Sequence, residues 1–264
     1  MTRALSNLLR SAGVQGRVIY ALLMREILTR YGRHNIGFLW LFVEPMLFTT
    51  GVTVMWSMMK AVHGSSLPIV AFALTGYSSV LLWRNMPARC IGAITPNLAL
   101  MYHRNVRVLD VFVSRLILEA AGATTSFIVL ACFYIYIGWL DLPENILQII
   151  SGWFLLAWFG FALALLLGAL AERSELVEKL WHPISYLLFP LSGAGFAVDA
   201  LPNSVQEYAL LIPMVNAVEY IREGYFGSIV RAHYDIEYLL LFNIILTFAA
   251  LSMAGQVARN VTPE

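Results

Sequence analysis

Several stretches of this 264-residue chain run for about 20 residues with hardly a charge. At about 1.5 Å per residue, a helix of that length crosses a hydrocarbon layer about 30 Å thick. Few other folds accept such stretches. Only 12% of the residues are charged and 59% are hydrophobic, whereas soluble domains carry roughly 25% charged residues. The runs are continuously apolar and not alternating, which argues against a β-barrel. The fold class is therefore all-α, a polytopic membrane protein.

Six spans are read at about 37–59, 68–86, 111–137, 145–171, 183–198 and 236–257. Pro68 and Pro143 stand where helices open, a position that tolerates a missing N–H. The fifth span is short and interrupted by Pro190. Between the spans, KAVHGSSL (60–67) reads as a loop, LDLPEN as a tight turn and ERSELVEKLWH (172–182) as a charged connection. Of the 17 Lys and Arg, Lys60, Arg222 and Arg231 fall on one side of this topology and all the others on the opposite side. By the positive-inside rule both termini are cytoplasmic, in keeping with an even number of spans. A cytoplasmic N-terminal segment, 1–35, precedes a transmembrane domain, 36–264. No internal repeat is visible, against the inverted-repeat secondary transporters. No cleavable signal peptide is visible either, since VIYALLM (18–24) is short and is cut by Arg25.

Residues 17–33, RVIYALLMREILTRYGR, are too charged to span. Ile19, Leu22, Leu23, Ile27 and Tyr31 repeat at helical spacing, with Arg17, Arg25, Thr29 and Arg33 on another face. Glu26 precedes Arg30 by four, the favourable order for a pair on one helix. This predicts an amphipathic helix lying along the membrane surface, basic face to the polar side. Residues 30–48, RYGRHNIGFLWLFVEPMLF, then carry a basic cluster straight into lipid. Glu44 and Pro45 sit inside that span. A carboxylate and a missing backbone donor survive there only beside protein or water, so the dipeptide is expected to face one of these.

Net charge is +1, which points to no nucleic-acid partner. Cys90 and Cys132 fall in different segments and form no metal-ligand spacing. A P-loop needs Gly-Lys followed by Ser or Thr, and neither Lys60 (MMKAV) nor Lys179 (VEKLW) follows a glycine. Neither HExxH nor GxSxG occurs, and His34, His63, His103, His182 and His233 are scattered at segment boundaries. The chain therefore binds no cofactor of its own, and an enzyme, such as a membrane-embedded transferase, is disfavoured. Arg115 and Glu119, four apart on the third span, either pair with each other or reach toward the cytoplasmic edge. Gly160, Ala164 and Gly168 form a small-residue stripe for close helix packing, within the chain or between subunits. Phe38, Trp40, Phe42, Trp56, Trp83, Trp153, Trp158 and Tyr186 offer faces for sugars, but read mostly as an interfacial belt. In SGAGFAVDALPNSVQEYALLIPMVNAVEYIREGYFG (192–227), two helical patches too short to cross flank Pro213, the second carrying Glu219, Arg222 and Glu223. They read as a re-entrant hairpin bordering a cavity or as a pair of interfacial helices.

Taken in order, the basic helix, RYGRHNIGFLWLFVEPMLF, NLALMYHRNVRVLDVFVSRLILE (97–119), the GFAVDALP turn and NAVEYIREGYF (216–226) resemble the membrane subunit of ABC-2 exporters. The resemblance covers nearly the whole chain. Within that class it is nearest to the permeases that export capsular polysaccharide in Gram-negative bacteria. IPMVNAVEYIR departs from the Asn-Pro-Leu wording common in the class. The resemblance implies a homodimer in the bacterial inner membrane, joined to two ATP-binding subunits that hold ATP and Mg. It implies periplasmic and outer-membrane export proteins as further partners and a lipid-linked polysaccharide as substrate. It also implies an N-terminal interface helix (Arg17, Arg25, Glu26, Arg30, Arg33) and a coupling helix touching the ATPase (Leu98, Leu100, Met101, Tyr102, His103, Arg104). Two short helices on the periplasmic side would precede the last span. Glu44, Pro45, Arg115, Glu119, Glu219 and Arg222 are the candidates for a translocation path or a helix bend. An ABC-2 exporter of O-antigen, teichoic acid, lipid or drug is the neighbouring alternative.

Overall fold

A computed structural model describes residues 2–32, 35–59, 68–103 and 106–261. The 60–67 loop, Arg33, His34 and Arg104 lie outside the described residues. Ten helices occur among them and no strand. They are α1 (Thr2–Tyr31), α2 (Asn35–Met59), α3 (Ile69–Cys90), α4 (Leu98–His103), α5 (Val108–Tyr136), α6 (Ile146–Ala171), α7 (Glu175–Leu191), α8 (Asn203–Leu210), α9 (Pro213–Phe226) and α10 (Ile236–Val261). Stretches in α2, α5, α6 and α10 are long and apolar enough to cross a membrane. Helix α3, with Arg84, Asn85 and Arg89, is more polar, and α7 has only 17 residues.

Helices α3 and α6 form the centre. Helix α3 packs on α2, α5, α6 and α9, and α6 on α3, α9 and α10. The small-residue stripe explains the closeness of the two. A methyl group on Gly160 would sit 2.8 Å from Met86 Sδ, and one on Gly168 would sit 2.7 Å from Cys90 Cβ. The stripe therefore packs within the chain, backbone near backbone, as expected where lipid supplies no hydrophobic drive. Side-chain hydrogen bonds add to it: Trp153 donates to Thr124 (2.9 Å), Trp158 to Thr247 (2.9 Å) and Asn243 to the Leu155 carbonyl (3.1 Å). Trp83 and Trp153 are buried, so much of the expected aromatic belt is core, while Trp40 and Tyr186 remain exposed.

Two boundaries differ from the sequence reading. Helix α1 is 30 residues long and begins well before Arg17. Helix α7 starts inside the supposed connection, because Ser174 caps the Leu176 N–H (3.3 Å) and Glu175 and Glu178 occupy the first turn, where carboxylates favour the helix dipole. The helix continues through Pro183 and Pro190. It stands at the edge of the bundle, with only Trp181 and Ser185 buried. Helix α9, by contrast, is packed on α3, α6 and α10 and buried over most of its length.

Candidate functional site

Polar side chains gather at the end of the bundle that carries α1 and α4. Asp110 opens α5: one carboxylate oxygen accepts the Arg107 N–H (2.8 Å), and the other accepts the Gln15 side-chain amide of α1. Arg25 donates to Asn97 Oδ1 (2.5 Å), in the 3-10 turn Thr95–Asn97 that leads into α4. Asn97 is itself fixed, its amide donating to the Ala93 carbonyl at 2.8 Å. Glu26 forms an ion pair with Arg115 of α5 (3.2 Å), and Arg115 also donates to the Arg89 carbonyl at the end of α3 (2.9 Å). Arg30 and Arg89 meet on one oxygen of Glu119, Arg89 Nε at 2.9 Å. Four fastenings between Gln15 and Arg30 thus tie about 22 Å of α1 to α5, to the end of α3 and to the turn before α4.

This seam corrects three sequence expectations. Arg115 and Glu119 do not pair with each other, and Glu26 does not pair with Arg30; each finds its partner on another helix. The division of α1 into faces is as expected, with Arg17, Arg25 and Thr29 exposed, Leu22 buried and Ile19, Leu23 and Ile27 half-buried, but the buried face meets the protein. Gln15, Leu22, Glu26 and Arg30 share the side turned to the protein, and Tyr20, Met24 and Leu28 form an exposed apolar strip, 63%, 37% and 57% accessible. Helical spacing gives the angular position of a side chain but not the charge of the neighbouring helix. Here α5, α3 and the 95–97 turn supply the partners, so Glu26 and Arg30 turn inward, while Arg25 reaches Asn97 from an exposed position. Arg17 is exposed.

Helix α4 presents its residues unequally. Met101 is buried, Leu98 and Leu100 pack partly on the core, and Tyr102 is 60% exposed. His103 ends the helix backbone.

Beside the seam, α2, α3 and α7 enclose a cleft of about 420 Å³. Glu44 and Pro45 of α2 form part of one wall, and Glu119 and Arg89 close the side next to the seam. Tyr77, Arg84 and Asn85 of α3 face Trp181, His182 and Tyr186 of α7 across it. The Arg84 guanidinium lies 4.1 Å over the Tyr186 ring. In the sequence Arg84 and Arg89 serve only to mark the side of the membrane. Two arginines inside an otherwise apolar helix were the signal available, since intramembrane charges are kept for use or for pairing.

Glu219 and Arg222 lie at neither place. Both side chains are fully buried and 3.5 Å apart. Arg222 donates to the carbonyls of Phe196 (2.6 Å) and Ala194 (2.8 Å), with its guanidinium 3.8 Å over the Phe72 ring. Glu219 accepts the backbone N–H groups of Val198 (3.4 Å) and His233 (3.4 Å). The pair fastens the loops before α8 and before α10 onto α9, and in this state neither residue lines an open path. Gly76 admits this arrangement, because a methyl group there would run into the Ala194 carbonyl oxygen.

A sequence model of the ABC-2 type transporter family matches residues 17–226. The chain is 47% identical over 254 residues to the capsule polysaccharide export inner-membrane protein CtrC of Neisseria meningitidis serogroup B, covering 96% of each chain. It is 44% identical over 255 residues to the capsule polysaccharide export inner-membrane protein BexB of Haemophilus influenzae, covering 97% of this chain and 96% of that one. It is 26% identical over 243 residues to the polysialic acid transport protein KpsM of Escherichia coli, covering 91% and 93%.

Proposed function

The chain belongs to the ABC-2 type transporter family, and from that premise we propose that it is the permease subunit of an exporter of capsular polysaccharide. The polymer, carried on a lipid, crosses the inner membrane through it, driven by ATP hydrolysis in a separate subunit. The observation that carries this reading is the 47% identity, over nearly all of both chains, to an inner-membrane protein of capsule polysaccharide export.

In this reading α3 and α7 join α2, α5, α6 and α10 as six spans, both termini are cytoplasmic, and α8 and α9 lie toward the periplasm. A second copy of the chain and two ATP-binding subunits, which hold ATP and Mg, complete the motor. Periplasmic and outer-membrane export proteins receive the polymer. Helix α4 is the coupling helix: Leu98, Leu100 and Met101 anchor it, and Tyr102, with His103 and Arg104, meets the ATPase. The seam then gives the motion a route. Displacement of α4 pulls on Asn97, hence on Arg25 of α1, while Glu26–Arg115 and Arg30–Glu119–Arg89 oblige α1, α3 and α5 to move together. Nucleotide states thereby bias two arrangements of one packed end. The apolar strip Tyr20–Met24–Leu28 lets α1 rest on the bilayer surface.

Altering Tyr102 and Arg104 together in the reconstituted complex tests the assignment. Loss of ATPase stimulation and of export, with subunit assembly intact, is expected; unchanged coupling rejects it.

A further inference from the structure

The cleft between α2, α3 and α7 has a volume typical of small-molecule sites, about 420 Å³, and its charges are incompletely matched. Glu119 offers one oxygen to two guanidiniums, Arg30 and Arg89. Arg84 has no carboxylate within ion-pair distance among the described residues, and its guanidinium lies over the Tyr186 ring. Glu44 is the other carboxylate on the wall. Within the lining, Arg89 shares its carboxylate with α1 and Arg84 has none, so both guanidiniums have capacity for a further anion. Arginine forks favour planar oxyanions, which they hold through paired N–H bonds. The Asn85 amide adds a donor and an acceptor, while Tyr77, Trp181 and Tyr186 add ring faces of the kind on which the apolar faces of a sugar rest.

We propose that this cleft receives an oxyanion carried by the substrate, the carboxylate of an acidic sugar or the phosphate of its lipid carrier, and that Arg89 leaves Glu119 to hold it. This rests on the exporter reading above. The geometry allows the exchange. Arg89 is the more open of the two arginines on Glu119, 39% accessible against 18% for Arg30, and it lines the cleft. Once Arg89 turns to the ligand, Glu119 belongs to Arg30 alone. Arg30 is on α1, so the occupied cleft tightens the grip of α5 on the helix that also carries Arg25 and Glu26. Arg84 and Arg89 recognise the anion, and Glu119 reports its arrival to the seam.

The test uses the full chain in nanodiscs of zwitterionic lipid, read by tryptophan fluorescence. The probes are a glucuronate-terminated oligosaccharide, dodecyl phosphate and neutral dodecyl maltoside. At least one anionic probe is expected to bind more tightly than the maltoside. Binding of the oligosaccharide alone assigns the acid to the sugar chain, and binding of dodecyl phosphate alone assigns it to the lipid carrier. Arg84→Gln, at an accessible position, is expected to weaken binding about tenfold or more, the loss of a charge-assisted contact. Glu119→Gln is expected to tighten it about threefold, because the competitor for Arg89 is weakened; a merely structural role for Glu119 predicts the opposite sign. If Glu119→Gln does not fold, Arg89→Gln takes its place and must weaken binding at unchanged thermal stability. Equal affinity for charged and neutral probes, or an unaffected Arg84→Gln variant, overturns the proposal. Copurification with a P-loop ATPase, scored separately, tells whether the exporter reading itself has failed.

Discussion

The ion pair between Glu26 and Arg115 is where the mechanical account is easiest to break. The charges are 3.2 Å apart, with side chains only 20% and 17% accessible. At an effective dielectric constant near 20 their Coulomb attraction is about 5 kcal/mol, most of it offset by the cost of drying both groups. A net coupling of about 1–2 kcal/mol remains, more than an exposed pair contributes. The experiment is a double-mutant cycle of Glu26→Gln, Arg115→Met and the double variant, unfolded reversibly in mixed detergent micelles. The single changes are expected to cost more together than the double change does, by that 1–2 kcal/mol. The reversed pair, E26R with R115E, should recover part of the ATPase stimulation lost by either reversal alone, the bond from Arg115 to the Arg89 carbonyl staying lost. A coupling below about 0.3 kcal/mol, within the error of additivity, would refute the idea that this pair ties α1 to α5.

Two further changes probe the frame that holds the sites. Gly168→Val would push a side chain into Cys90 of α3, where even a methyl group sits 2.7 Å from Cβ, and is expected to cost about 1–3 kcal/mol in detergent unfolding. Gly255→Val, with nothing within 4 Å, is its control and should be nearly neutral. Arg222→Met leaves Glu219 buried without its cation and strips donors from Ala194 and Phe196, so a loss of about 3 kcal/mol or more is expected, seen as a large fall in melting temperature. Adding Glu219→Gln to that variant should restore part of the loss.

The four long apolar helices α2, α5, α6 and α10 were legible because a 20-residue apolar run has few alternatives. The charged connection at 172–182 misled because its carboxylates were counted as polarity, when Ser174, Glu175 and Glu178 form a helix start. The seam was half legible. Glu26, Arg30, Arg115 and Glu119 stand out in the sequence, but the i,i+4 spacing suggests partners along one helix, whereas the actual partners come from helices some 90 residues apart in the chain. Asp110, Asn97 and Gln15 carried no mark in sequence, the first two being ordinary polar residues at helix ends and Gln15 a lone amide in the middle of α1. Arg84 and Arg89 were visible as charges, but their shared cleft depends on α7 standing across from α3, a tertiary fact that no local pattern encodes.

The most direct measurement is uptake of capsular polysaccharide into inside-out vesicles that hold this chain together with its ATP-binding partner. Uptake that requires hydrolysable ATP, and that stops when either subunit is omitted, is what the account predicts. Uptake that persists without the ATP-binding subunit would contradict it.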